Sequence, residues 1–360
     1  MRSLLIFVAL LGMAAPAAAR TLPRPEAVEA VLQAAVTDVI RPGMQRFQAT
    51  SEEMVDTLET LCAAPAPDAL ASSRRIFETV VAAYGGIDFL RLGPLLEENR
   101  ADRLLFWPDR RSIGLRQVQA ILAEEDASAT QLTALQDKSV AVQGLGALEF
   151  VLYGTGSDGL TDPAGAFRCA YGRTIAANIA QIAGELVTDW NATGGVADHL
   201  TSPHPDYADY RTTVEAMEEV VGLVAHGAET LRDRHLKPFL AGPEKAASPK
   251  LAVFWRSGLT LVFVRANIEA MHALAVPTGL TRAVDEKDKW LVSSVDFEFR
   301  NALRALDGVT LPLAEALDNQ EQAAALDYLV LVTGALQSVV GEQLSAALGL
   351  SVGFSSLDGD

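Results

Sequence analysis

The chain has 360 residues, 49% of them apolar, which is enough to build one large core or two of ordinary size. Its net charge of −17 argues against nucleic acid as a partner, since phosphate would be repelled. The same acidity favours cations near the surface, although acidic surfaces serve solubility more often than metal binding.

Met1 to Ala19 carries Arg2, an apolar segment from Leu4 to Met13 and the small-residue run Ala17-Ala18-Ala19, and reads as a secretory signal peptide cut before Arg20. The mature protein is therefore expected in the bacterial periplasm and outside the membrane. The later stretch nearest to a membrane span, Leu251 to Val276, contains Arg256, Arg265 and Glu269. The two cysteines, Cys62 and Cys169, either form a disulfide in that oxidising compartment or are separately buried thiols.

The first helical pattern follows Pro25 through Val28, Val31, Leu32, Val36 and Val39. Pro42 and Gly43 are expected to kink or break it. It resumes through Phe47 and Leu61. Asp68 is then placed to cap a helix running through Phe77 to Tyr84. Residues 93–112 form the least regular stretch of this half, and helices are expected over 114–124, 137–153 and 166–190. Glycines and prolines in 191–205 mark the best domain boundary. Helices follow over 207–240, 251–274, 286–306 and 321–348. No segment alternates at strand spacing, so the fold class is all-α, with two bundles of about four helices each. The division expected is 20–192 for the N-terminal bundle, 193–205 for the linker and 206–360 for the C-terminal bundle.

Val140 to Gly154, VAVQGLGALEFVLYG, is apolar nearly all round and reads as one buried helix in which Gly144 and Gly146 permit close approach of another backbone. Glu149 stands out within it. A buried carboxylate must be neutral, hydrogen-bonded, paired or metal-bound, and Arg265 is an obvious type of partner.

This stretch resembles the signature of imelysin-like proteins, an exported bacterial family named for a peptidase activity and associated with iron uptake. The family's Gly-x-His-x-x-Glu falls on Gly144 to Glu149, with Gly146 at the histidine position. Phe89 to Pro94, Phe106 to Arg110 and the ending Gly353 to Asp360 resemble further family segments. The resemblance implies a two-domain helical fold and carries over Arg91, Trp107, Asp109, Gly144, Gly146 and Glu149 as residues facing an inter-domain cleft. It also implies iron or another divalent cation as ligand, with Glu149 and Asp109 as the metal-binding carboxylates, or a different small ligand in a shifted pocket. Envelope uptake proteins would be the partners.

Elsewhere the chemistry is sparse. Glu269 and His272 have a bundle-type metal spacing, but a di-metal bundle needs two such motifs, so the spacing reads as incidental. The remaining histidines, His199, His204, His226 and His235, show no zinc spacing, and there is neither a His-Glu-x-x-His nor a Gly-x-Ser-x-Gly elbow. The leading expectation is a non-catalytic periplasmic binding protein connected with iron uptake. The alternatives are a metallopeptidase of the family's named type and an interaction protein without metal.

Overall fold

The structure, a computed structural model, describes residues 24–109, 111–242 and 245–351. The expected signal peptide and the family-like ending from Gly353 lie outside these residues. The fold is all-α, and among the described residues the one extended pairing is an isolated bridge between Gly242 and Lys245.

Pro42 does not end the first helix. The helix Pro25–Ala34 widens into a π-helical segment, Ala35–Ile40, and continues as Arg41–Ala63. The wider turn absorbs the prolyl ring and its missing donor without breaking the rod. Asp68 lies inside the first turn of Pro67–Gly85, where it opposes the helix dipole rather than capping it, since Ala66 occupies the cap position.

Arg41–Ala63 packs between Pro67–Gly85 and the long helix Ala166–Asn191. A disulfide between Cys62 and Cys169 joins its end to that long helix, with the two Cα atoms 5.6 Å apart. Closing the intervening 107 residues stabilises the fold by about 5 kcal/mol in the chain-entropy view. In the second half Thr213–Thr230, Thr260–Ala275, Trp290–Asp307 and Gln320–Ser338 pack on one another. The halves share one continuous buried core, because Pro67–Gly85 lies against Thr260–Ala275 and Pro25–Ala34 against Thr213–Thr230. Residues 193–205 contain a short helix, Val196–Thr201, whose Ala197 and Leu200 are buried.

Two sequence expectations change here. Among the described residues the helix that comes nearest to a membrane span by length and composition is Gln320–Ala347 rather than 251–276. Its Leu326, Leu329 and Leu336 enter the core while Tyr328 and Leu331 remain exposed. In addition, Leu251 closes the 3-10 turn Pro249–Leu251 and 252–259 is not helical. It is a turn in which Phe254 and Gly258 both adopt positive φ, and the helix begins only at Thr260.

Candidate functional site

The motif stretch is not one helix. Val140–Val142 is a 3-10 turn, Gly144 is an extended cap residue, and the helix proper is Leu145–Tyr153. The break is held by Gln143, the other polar residue in the run. Its amide nitrogen donates to the Lys138 carbonyl at 2.9 Å, its side-chain oxygen accepts from Arg103, and its backbone carbonyl accepts from Asn178 at 2.9 Å. Gly144 then fits where a Cβ would stand 2.3 Å from the Arg103 carbonyl oxygen. That glycine does permit close backbone approach. Gly146 does not, since a Cβ there would meet nothing within 4 Å.

The space beside Gly146 belongs to a cavity of about 80 Å³, lined by Gly146 and Glu149 of the motif helix, Trp107 and Asp109 of the preceding loop, and Trp255 and Arg256 of the 252–259 turn. Glu149 is 3% exposed. One carboxylate oxygen, Oε1, accepts from the Ser257 backbone N–H at 2.9 Å and lies 2.9 Å from the Ser257 hydroxyl. Burial pushes its pKa up, against the opposing pull of the Ser257 hydrogen bonds and the nearby Arg256 charge. Arg256 lies over the rings of Trp255 and Phe150, and burial lowers its pKa in turn. The expected Arg265 partner is elsewhere, bonded to Asp307 at 2.6 Å.

Asp109 has a local duty. Its Oδ1 accepts from the Ile113 N–H at 2.7 Å, and its Oδ2 from Gly114 at 2.9 Å and Leu115 at 3.3 Å, so it satisfies the free donors at the start of helix Ile113–Glu124. Trp107 ties the loop to the second half of the chain. Its indole N–H donates to the Arg234 carbonyl at 3.3 Å, and Arg234 returns a guanidinium donor to the Trp107 carbonyl at 2.7 Å.

Arg91 is not part of this group. It lines a second, larger cavity of about 700 Å³ together with Asp88. Asp88 is 1% exposed and accepts from Arg91 at 2.7 Å, while the His235 Nε2 lies 3.4 Å from its other oxygen. Burial alone would raise the Asp88 pKa, but Arg91 and His235 hold it well below the usual carboxylate range. Thus the structure brings Trp107, Asp109, Gly146 and Glu149 together, leaves Gly144 as a packing residue, and sends Arg91 to a different cavity.

These donors do not fit a resident metal ion. Asp109 spends both oxygens on backbone amides, Glu149 spends one on Ser257, and the cavity lining holds neither histidine nor cysteine but does hold the cationic Arg256. Among the described residues no three His, Cys, Asp or Glu side chains converge as metal ligands. His272 bonds Asp296 at 2.9 Å while Glu269 faces Arg265, so the Glu-x-x-His spacing forms no site. Sequence reading missed Ser257, Arg256 and Trp255. The Ser257-Gly258 pair was the available signal, since such a dipeptide marks a turn.

A sequence model of the imelysin family matches residues 40–340. No curated protein matches the chain. Among solved structures, the chain is similar to an imelysin-like protein from Psychrobacter arcticum, with 18% identity, a TM-score of 0.74, and coverage of 91% of this chain and 98% of that one. It is also similar to a protein named as an iron-regulated protein A precursor from Parabacteroides distasonis, with 15% identity, a TM-score of 0.70, and coverage of 89% and 96%.

Proposed function

The chain belongs to the imelysin family, and from that premise we propose that it is an exported, non-catalytic binding protein in an iron-linked uptake process of the cell envelope. The observation that carries the binding reading is Glu149, a buried carboxylate without an ion pair among the described residues, which faces a small cavity left open by the bare Gly146. Export is supported by the Cys62–Cys169 disulfide, which suits an oxidising compartment, and by the precursor name of one structural neighbour. The link to iron comes from that neighbour's name.

The ligand fitting this cavity in the present member is a small hydrogen-bond donor rather than a bare metal ion. A peptidase would need a nucleophile with its base, or a set of metal ligands, and among the described residues the charged groups of the lining are Asp109, Glu149 and Arg256. The test is native mass spectrometry of protein taken from the periplasm, paired with calorimetric titration by ferrous, ferric, zinc and cupric ions. A retained small molecule that is lost in Glu149→Gln, with no stoichiometric binding of bare ions, is the expected result. Stoichiometric ion binding that depends on Glu149 would overturn the choice of ligand, and absence of both would overturn the binding role.

A further inference from the structure

We propose that the larger cavity is a second binding site, independent of Glu149, for an aliphatic di- or polyamine. Its wall is one face of the helix Thr213–Thr230 and the π-helical continuation Leu231–Leu236, closed by the Asp88–Arg91 turn and by Asn267 of Thr260–Ala275.

Carboxylates dominate the lining. Asp88 is neutralised by Arg91 and His235, and Asp209 bonds His199 at 2.9 Å. Glu215 accepts from the Arg211 N–H at 2.6 Å, and Glu218 from Ser351 at 2.9 Å. Glu219 has neither a hydrogen bond nor an ion pair among the described residues, and burial raises its pKa. The cationic groups of the lining do not answer it: Arg91 is held by Asp88, Arg234 gives its Nη2 to the Trp107 carbonyl, and the His226 Nδ1 lies 3.8 Å from Glu229.

Asn267 is an independent sign of a missing partner. It is 2% exposed, lines the same cavity, and its side-chain oxygen is a buried acceptor without a donor among the described residues. Such acceptors in native proteins are satisfied by protein, water or ligand. Glu219 and Asn267 both ask for donors, and Glu219 asks for positive charge as well.

A bare metal ion does not meet these demands, because Glu215, Glu218 and Glu219 are strung along one helix and no three ligand groups converge among the described residues. Glu215 and Glu219 are one turn apart, about 6 Å along the axis, a separation that two ammonium groups on a short alkyl linker can span. Leu96, Leu223 and Leu231 supply apolar wall for that linker. An extended amine therefore matches the lining in charge, donor pattern and apolar content.

The experiment is isothermal calorimetry of the purified full chain with 1,4-diaminobutane and with spermidine at constant ionic strength. One-to-one binding is expected, weakened at least tenfold in Glu219→Gln and again in Asn267→Ala, with no change in Glu321→Gln, which removes an exposed carboxylate outside the cavity. Absence of saturable binding, an unchanged affinity in Glu219→Gln, or equal weakening in Glu321→Gln would overturn the proposal. So would saturable binding of magnesium ion that displaces the amine one for one. Glu219→Gln keeps the side chain's shape at a partly exposed position, so its result stands even where Asn267→Ala unfolds.

Discussion

Asp88 and Glu149 are buried almost equally, at 1% and 3% exposure, yet their surroundings drive them in opposite directions. Asp88 meets a guanidinium and an imidazole and stays ionised far below the usual range. Glu149 meets a hydroxyl, an amide and the nearby Arg256 charge, and burial wins. Removal from water sets a similar cost for both carboxylates, and the partner across the gap decides which proton state is held. One group is a joint between the Asp88–Arg91 turn and the helix carrying His235. The other retains the capacity to respond to what enters the cavity.

The largest test of this contrast is Asp88→Asn. Losing the charge leaves Arg91 and His235 facing a neutral amide and should cost about 3 kcal/mol, read from the urea midpoint at neutral pH. Because the folded pKa of Asp88 is depressed, its contribution is complete above the ordinary carboxylate range and is lost as pH falls toward the folded value. The gap between wild type and variant should therefore close on acidification, and a gap independent of pH would refute the ion-pair account.

The same dependence on surroundings separates the two motif glycines. Gly144→Ala drives a methyl group into the Arg103 and Leu104 carbonyls and should cost about 2 kcal/mol, because backbone must move. Gly146→Ala meets open space in a helix and should stabilise by about 0.5 kcal/mol. Thermal melts of the two variants should therefore shift in opposite directions, and a loss at both positions would show that the space beside Gly146 is closed in solution.

Glu149→Gln completes the comparison. The folded pKa of Glu149 is raised, so the ionised group costs stability above the unfolded carboxylate range, and protonation removes that cost as pH falls. At pH 7.5 the variant should melt above wild type, by the equivalent of about 1 kcal/mol or less, since glutamine can still accept from Ser257. The advantage should fade toward pH 4. A lower midpoint at pH 7.5 would show that Arg256 stabilises the anion more than burial opposes it.

The helices were legible because their period is local: apolar residues three and four apart name a buried face wherever the chain goes next. Pro67–Gly85 and Ala166–Asn191 appear where that pattern places them. The site was legible only as a residue, Glu149, and as a loop near Trp107 and Asp109. Arg265 looked like the natural partner because it is the cation within an apolar run, but helix phase turns it outward to Asp307. Asp109 looked like a ligand because it is a carboxylate within a segment that resembles the family. The start of the next helix, four residues on, claims both its oxygens.

The sequence alone therefore determined the all-α class, the family and a cysteine pair able to close a disulfide, since each rests on composition, period or a short motif. Tertiary structure decided that Ser257 bonds Glu149 across 108 residues, that Asn267 and Glu219 share a cavity, and that Arg91 lies in that cavity rather than beside Glu149. Such pairings depend on where turns deliver a side chain after a long excursion of chain. A turn such as 252–259, set by two positive-φ residues, leaves almost no periodic trace for a sequence to display.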